Sequence, residues 1–446
     1  MTLFSLQIKN KVFIMKIAWF KRVISPEVGC YLSGYSANDI SVGKTDDLYM
    51  TGFCADDGER KILIISFDVN GMDEWYTKRI RKNCAEVLGI DPSGVLFTCT
   101  HNHSGPETRS MRKFPDHLNT PYLEMVENAI MEEVKNLTDF RDCNVFFYSS
   151  KCDENRNRRY TTACNNASFT AHRREVVPIA TEYADKEFGQ LCFIEKETGT
   201  PVYIIGNYAA HPLAGHAPGF GGKKISADYP GFFRTFVTEE TGAECMFISG
   251  AAGDLVPRED EMGTRAASQM GFNLAKAAIG GLIDAPRNPA RFGMPDAKVG
   301  SLSKIVKTRF RKHKVGTLPT FYDDKQELDM ELQILSIGDV CFVGVPGELC
   351  CELGQEIKWH SPFRKAYIAY QATGHVGYIG SVNMMIAGGY EGNSQQFDSR
   401  CGLALVNGAV DGMFELRESL FPVPEGVEDS YPNYLKGPLV NIPANR

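Results

Sequence analysis

The feature that most constrains the fold is a unit that recurs along the chain. A short apolar run rich in β-forming residues is followed by a loop and then by a helical pattern. The apolar runs begin near residues 61, 95, 202, 245 and 340. After the first run, Trp75, Ile80, Cys84 and Val87 are predicted to share one buried helical face. The alternation predicts an α/β fold with a central, mostly buried sheet and flanking helices.

Three segments depart from this pattern. Residues 286–330 change to period-two alternation, which predicts a strand-rich insertion or subdomain within a catalytic domain over 15–420. Residues 1–14 are interpreted as an N-terminal extension, and the true start is either Met1 or Met15. Residues 421–446 are rich in proline and predict an arm that lies on the surface or on a neighbouring subunit, so a homo-oligomer is one hypothesis.

Composition narrows the class of protein. The net charge is −7 with acidic and basic residues interspersed, and the basic run at 304–314 alternates like the exposed face of a hairpin, so we expect no nucleic-acid partner. The thirteen cysteines are scattered without a C-x-x-C pair, which predicts a reducing compartment and a cytoplasmic location. No convincing signal peptide or transmembrane segment is recognised. These features predict an intracellular protein with a small-molecule substrate.

Polar residues with metal-binding side chains stand at the ends of several predicted strands. They are His101 and His103 in THNHSG, His211 in NYAAHP, Glu348 in VPGE, and His375 and Tyr378 in AYIAYQATGHVGYIG. Ligands gather outside the carboxyl ends of strands in open α/β sheets, because loops converge there. Two imidazoles and a carboxylate suit Zn²⁺ with one position open for water. The pattern therefore predicts a metal site at the C-terminal ends of the strands.

The residues alone also allow structural interpretations. His211 could fill a turn before Pro212, and Glu348 could be the first-turn acid of the helix that follows it. Tyr378 could be a core aromatic, and His103 could be a hydrogen-bond partner rather than a ligand. Asp68 and Asp254 could be turn caps as easily as site residues.

Several motifs, taken in order, resemble one known family. They are ISPEVGCYLSGY (24–35), THNHSGPE, NRRY (157–160), NYAAHP, AAGDLVP, VPGE and GYIGSVNMMIAGGYE. Together they resemble the catalytic N-terminal domain of the neutral/alkaline non-lysosomal ceramidases, over roughly residues 20–420. The combination is specific, although each motif is short.

The resemblance implies a site and a reaction. One zinc ion per chain is expected to be held by four residues: His101, His211, Glu348 and Tyr378. The matching positions imply that His103 and Arg158 are catalytic, with His103 beside the metal and Arg158 at the reacting end of the substrate. Arg159, Asp254 and His375 are interpreted as substrate-binding. Because zinc lowers the pKa of bound water from about 16 towards about 7, the implied chemistry is amide hydrolysis.

Three differences from the family bear on which substrate the protein is expected to use. Val256 stands where the ceramidases carry a serine that touches the substrate, and we expect neither the family's further β-sandwich domain nor its secreted or membrane-associated location. Arg109, the two arginines of NRRY and the loop at 217–224 suggest a polar, anionic or hydroxylated substrate. We therefore predict a zinc-dependent hydrolase of a small polar amide.

Three alternatives stay open. The chain could be a genuine N-acylsphingosine amidohydrolase that tolerates Val256. It could use the metal as a Lewis acid in an isomerase or lyase reaction on a sugar or polyol. It could also be a non-catalytic, metal-stabilised binding protein.

Overall fold

The computed structural model describes residues 15–34, 38–110, 115–160, 183–215, 223–258, 262–311 and 325–422. The predicted N-terminal extension, most of the predicted C-terminal arm, and most of the 217–224 loop lie outside these ranges.

The described residues form short and long strands distributed over five sheets. The strands are β1 (Met15–Val23), β2 (Gly43–Lys44), β3 (Tyr49–Asp56), β4 (Lys61–Phe67), β5 (Val95–Cys99), β6 (Arg141–Lys151), β7 (Asn155–Asn157), β8 (Glu187–Glu195), β9 (Pro201–Tyr208), β10 (Lys224–Ile225), β11 (Glu244–Ser249), β12 (Leu255–Pro257), β13 (Val299–Arg309), β14 (Glu327–Ile337), β15 (Val340–Gly344), β16 (Glu348–Leu349), β17 (Lys365–Ala369) and β18 (Tyr378–Ile379).

Helices follow several of these strands, as the alternating pattern predicts. They are α1 (Glu74–Leu88), α2 (Thr120–Lys135), α3 (Asp228–Thr241), α4 (Thr264–Arg287), α5 (Pro289–Phe292), α6 (Cys351–Trp359), α7 (Val382–Ala387), α8 (Gly389–Ser394) and α9 (Cys401–Leu420). None of the helices in the described ranges combines the length and apolar character needed to cross a bilayer.

A mixed eight-stranded sheet is the centre of the fold, with strand order β11-β9-β8-β6-β1-β3-β4-β5. The pairs at its two ends, β4–β5 and β9–β11, are parallel, and the pairs between them are antiparallel. Parallel strands β4 and β5 therefore end at the same edge of the sheet. The predicted α/β class with a buried central sheet and flanking helices is confirmed.

A second sheet, with strand order β13-β14-β15-β17, packs against the first. The residues predicted as a strand-rich insertion supply β13 and the start of β14, and β14 pairs with β15, so these strands continue the second sheet. Strands β15 and β17 are parallel, so they also end at a common edge.

The two sheets and the helices form four layers. In β4, Ile62 and Ile64 pack towards the second sheet, whereas Leu63 and Ile65 pack towards α1 and α2. Alternate strand residues point to opposite faces, and both faces of β4 are apolar because both are covered. Helices α3 and α4 also cover the first sheet, while α6 and α9 cover the outer face of the second.

The buried face of α1 differs in part from the prediction. Ile80 and Cys84 are fully buried, and Tyr76 joins them at the same four-residue spacing. Trp75 and Val87 are 47% and 40% exposed, so the prediction is wrong for both. Trp75 precedes Ile80 by five residues, about 140° around a helix, and Val87 lies in the last turn before the left-handed cap.

Candidate metal centre

His101 lies two residues after β5 and has an unusual backbone conformation. Its φ is 66°, in the left-handed region that non-glycine residues seldom adopt. Its Nδ1 lies 2.7 Å from the carbonyl oxygen of Asn70, which follows the neighbouring parallel strand β4. A carbonyl only accepts hydrogen bonds, so Nδ1 carries the proton and Nε2 presents its lone pair.

His211, which follows β9, is held in the same way. Its Nδ1 lies 3.0 Å from the carbonyl oxygen of Leu255 in β12. Burial is the largest cause of a fall in the pKa of His211 to about 4, and the nearby charge of Arg158 lowers it further. His211 is thus a neutral imidazole at pH 7, with Nε2 as its electron-pair donor.

Both imidazoles point at one carboxylate oxygen. Glu348 Oε2 lies 3.4 Å from His101 Nε2 and 3.3 Å from His211 Nε2. Glu348 is 6% exposed, so these atoms meet away from solvent. Ligand atoms about 2.0–2.1 Å from a tetrahedral Zn²⁺ lie roughly 3.3–3.4 Å from one another. Each imidazole nitrogen therefore lies as far from Glu348 Oε2 as two ligand atoms on one zinc ion would lie from each other.

Tyr378 lies beside Glu348 through strand pairing. The short strands β16 and β18 are parallel, and Glu348 lies opposite Tyr378 in their register. These strands follow β15 and β17, which are themselves a parallel pair. The Tyr378 hydroxyl accepts a hydrogen bond from Arg158 Nη2 at 3.1 Å. The strand pairing thus makes Tyr378 the neighbour of Glu348, the residue that both imidazoles face.

His103 lies against the same cluster. Its ring centroid is 4.9 Å from that of His101 and 5.7 Å from that of His211. The ligand atoms of the three histidines lie within 4.8 Å of one another, so His103 is placed either to bind a metal or to work beside it. Burial, assisted by the other two histidines, lowers the pKa of His103 well below its ordinary value.

The backbone of Gly34 packs directly on the His103 ring. Gly34 has φ 105°, and a Cβ atom added to it would overlap ring atoms of His103. Glycine is needed here both for the backbone conformation and for the close approach.

Arg158 and Arg159 share one buried carboxylate. Arg158 Nε donates to Glu391 Oε1, and Arg159 Nη1 donates to Glu391 Oε2 at 2.9 Å. Arg158 Nη2 also donates to the carbonyl of Gly253 at 2.9 Å. Sequence reasoning did not select Glu391, which is 1% exposed. The one available signal is its place at the end of the GYIGSVNMMIAGGYE motif.

Asp254 holds the backbone around Arg158. Its Oδ1 accepts from the Cys351 amide at 2.7 Å, and its Oδ2 accepts from Asn157 Nδ2 at 2.8 Å. The Asp254 carbonyl accepts from the Arg158 amide at 2.9 Å. Val256 lies two residues further on, in β12, opposite Arg156 of β7. Both carboxylate oxygens of Asp254 are therefore engaged by the protein in this structure.

His375, the remaining predicted site residue, lies between two side chains. Its Nδ1 is 2.8 Å from Gln371 Oε1, and its Nε2 is 3.2 Å from Arg109 Nη1. His375 is not among the three histidines, His101, His103 and His211, whose ligand atoms lie within 4.8 Å of one another. Its ring is thus part of a neighbouring polar cluster.

Solved ceramidase structures share this architecture. The neutral ceramidase from Pseudomonas aeruginosa superposes with a TM-score of 0.75, covering 92% of this chain and 76% of that chain at 15% sequence identity. This chain has the neutral ceramidase fold. A ceramidase complexed with C2 gives a TM-score of 0.74, covering 91% of this chain and 76% of that chain at 14% identity. Neither a protein-family model nor a curated protein matches the sequence.

Proposed function

We propose that this ceramidase-fold protein is a zinc-dependent hydrolase that cleaves an amide bond of a small polar substrate. The observation that carries the proposal is the convergence of His101 Nε2 and His211 Nε2 on Glu348 Oε2. Both imidazoles are fixed by backbone carbonyls with their Nε2 lone pairs towards the carboxylate. A cation placed between them would satisfy all three donor atoms, and one zinc ion per chain fits the set.

Tyr378 would complete the ligand set. Burial and the charge of Glu348 raise the pKa of Tyr378 well above its ordinary value, so a cation is needed to favour its phenolate. The N–H donated by Arg158 to the same oxygen also favours negative charge there. Arg158, oriented by Glu391, is thus placed to stabilise charge at the reacting end of the substrate.

His103 would be the proton-transfer residue. Zinc, when bound, would lower the pKa of a bound water molecule to about 7. A buried, neutral His103 beside the cluster can accept a proton and return it to the leaving nitrogen. The side chains that carry the reaction therefore come from five separate segments of the chain, which the fold brings together.

The fold likeness favours one second candidate, an N-acylsphingosine amidohydrolase. The solved relatives are named as ceramidases, and this chain keeps their fold over most of its length. Val256 argues for a different substrate, because an apolar valine side chain stands where the family carries a serine hydroxyl. The cationic side chains of Arg109, Arg158 and Arg159 support instead a physiological substrate that is smaller and more polar than ceramide.

Location and assembly are inferred from composition alone. The scattered, unpatterned cysteines support a cytoplasmic location, and the proline-rich segment after residue 421 supports a homo-oligomer.

The test compares wild type with His103→Ala, both zinc-loaded, on a panel of N-acyl amino acids, N-acyl amino sugars and N-acyl sphingosines in ¹⁸O-labelled water. The proposal expects one ¹⁸O atom in the released carboxylate and a loss of about 100-fold or more in kcat for His103→Ala. His360→Ala, at the exposed end of α6, is the matched control. Product formation without water addition would point to a lyase or isomerase and contradict the proposal.

A further inference from the structure

A polar cluster beside the histidines is not used by the proposed reaction. Gly71 marks its centre: a Cβ built there would lie 3.1 Å from His375 Nδ1, 3.3 Å from Gln371 Oε1 and 3.4 Å from Arg109 Cδ. Gln371 is 2% exposed and has φ 48°, another left-handed non-glycine residue. Backbone strain of this kind concentrates at functional sites, although it does not by itself define one.

The hydrogen bonds of this cluster have a fixed direction. The guanidinium of Arg109 only donates, so His375 Nε2, 3.2 Å from Arg109 Nη1, must accept. The His375 proton is therefore on Nδ1, which donates to Gln371 Oε1 at 2.8 Å. Because the Gln371 oxygen faces His375, its amide nitrogen faces away. Arg109 thus sets the orientation of Gln371 through the imidazole.

This hydrogen-bonded chain of Arg109, His375 and Gln371 leaves N–H donors that have no partner among the described residues. Gln371 Nε2 has no hydrogen-bond partner among the described residues. Arg109 directs Nε to Glu107 Oε1 at 2.8 Å, and it directs Nη2 to Glu107 Oε2 at 2.9 Å and to Ser33 Oγ at 2.8 Å. Nη1 makes one bond, to His375, so one N–H remains. A buried donor without a hydrogen bond is unfavourable, and a bound ligand that accepts from these groups would remove that penalty.

A second amide without a partner lies next to Gly71 in the chain. Asn70 is 1% exposed, and neither its Oδ1 nor its Nδ2 has a hydrogen-bond partner among the described residues. Its carbonyl is the acceptor that holds His101 Nδ1. Asn70 therefore connects the two sites: its carbonyl holds His101, and the next residue, Gly71, contacts the polar cluster.

The cluster lies close to the reacting groups. The Tyr370 ring, adjacent to Gln371, has its centroid 5.3 Å from that of His101 and 6.1 Å from that of His211. Burial acts to lower the pKa of Arg109, but the carboxylates of Glu107 and Glu348 raise it above its ordinary value. Arg109 is thus within electrostatic reach of the metal centre.

We propose that Gln371 and Arg109 form a subsite that binds a carboxylate group carried by the amide substrate. The free groups of this pair are donors, which suits acceptor oxygens rather than a hydroxyl that must also donate. Glu107 already offsets the Arg109 charge, so a dianion such as phosphate would meet repulsion from Glu107 and Glu348. The proposal rests on the proposed function for the reaction, and it narrows the substrate class to carboxylate-bearing amides.

The experiment measures binding of N-acetylglycine and of its neutral analogue N-acetylglycinamide to the full-length protein by calorimetry. Both zinc-loaded and chelator-treated protein are used, because a carboxylate can also bind zinc directly. We expect N-acetylglycine to bind at least about tenfold more tightly than the amide, about 1.4 kcal/mol, in both forms. Binding to chelator-treated protein requires no turnover, so its outcome is independent of whether hydrolysis is observed.

Gln371→Glu tests the donor role, because it keeps the acceptor for His375 and replaces the free N–H groups with a carboxylate oxygen. The preference for N-acetylglycine should disappear in this variant and persist in Gln269→Glu, which adds the same charge on the exposed face of α4. Gln371→Met, which removes the donors without adding charge, decides the question if Gln371→Glu does not fold. Equal binding of the two probes, a preference that survives both Gln371 variants, a preference seen only with zinc, or tighter binding of inorganic phosphate would each overturn the proposal.

Discussion

Glu348 lies directly opposite Tyr378 in the parallel bridge between β16 and β18. The pairing makes a glutamate and a tyrosine neighbours although they are 30 positions apart in the chain. The bridge follows the parallel pair β15–β17, and backbone hydrogen bonds between β16 and β18 fix the two residues relative to each other. The two histidines that face Glu348 come from the first sheet.

Replacing His211 should remove the metal. His211→Ala deletes one of the two imidazoles that face Glu348, and elemental analysis should find about one zinc per chain in the wild type and little in the variant. His360→Ala is the matched control, because His360 is exposed at the end of α6. Equal zinc content in wild type and His211→Ala would show that His211 is not a ligand.

Glu391→Gln should weaken both the fold and the reaction without removing the metal. The substitution removes the negative charge of a buried carboxylate that pairs with both Arg158 and Arg159. We therefore expect a loss of roughly 3 kcal/mol in the free energy of unfolding. The value of kcat should fall about tenfold or more, because Arg158 would lose its orientation. Urea unfolding, zinc content and steady-state kinetics measure the three effects.

The control for this variant is Glu415→Gln. Glu415 pairs with Lys304 on the surface and its side chain is 51% exposed, so its loss should cost less than about 1 kcal/mol. Wild-type kinetics in Glu391→Gln would contradict a positioning role for Glu391.

Gly34→Ala should impair catalysis through His103. The added methyl group would overlap the His103 ring and force it to move, while the four proposed metal ligands stay in place. We expect kcat to fall about tenfold or more with zinc content unchanged. Gly58→Ala is the matched control, because Gly58 also has a positive φ, 87°, but faces open space. Both variants should lose about 1 kcal/mol of stability from backbone strain, and only Gly34→Ala should lose activity.

Stability should fall at low pH through Glu187. Burial acts to raise the pKa of this carboxyl, but Lys358 and Lys365 outweigh it and lower the pKa to about 2 from 4.5. A depressed folded-state pKa stabilises the fold above the unfolded value, and this contribution is lost as pH falls from about 4.5 towards about 2. The shift corresponds to about 3 kcal/mol for a side chain that is 21% exposed.

Glu187→Gln should therefore lower the free energy of unfolding near pH 7 and flatten its pH dependence below pH 4.5. Chemical unfolding measured between pH 3 and pH 7 tests this, with Glu240→Gln, at an exposed position of α3, as the control. A wild-type pH profile in Glu187→Gln would assign the acid sensitivity to other groups.

The alternation of apolar runs and helical patterns was enough to predict the fold class and the strand ends that meet. The strand before His101, the strand before His211 and the strand before Glu348 lie where the pattern predicts them. The second sheet was harder to predict, because period-two alternation at 299–309 specifies a strand but not its partner. Strands β14 and β15 form a local hairpin, but the packing of this sheet on the first depends on contacts between distant segments, which one sequence does not display.

The details of the site were beyond the sequence for related reasons. Glu391 has no motif of its own, and its role follows from two arginines that are more than 200 residues earlier in the chain. Asp254 is predicted to bind substrate, and its hydrogen bonds with the Cys351 amide and with Asn157 Nδ2 join segments that are distant in the sequence. The end of a predicted strand indicates that His375 lies near the site. The orientation of its ring depends on the hydrogen bond with Gln371, whose left-handed backbone conformation the sequence does not reveal.

The four proposed metal ligands are divided between the two sheets, which has a consequence for the stability of the protein in the cell. Residues 101 and 211 follow strands of one sheet, and residues 348 and 378 follow strands of the other. A zinc ion held by all four would act as a removable cross-link between the sheets. At free zinc 100-fold above its dissociation constant, such a link adds about 2.7 kcal/mol to the stability of the folded state. Starvation for zinc would then expose the chain to proteolysis, so the abundance of the protein, and not only its activity, would follow the metal supply.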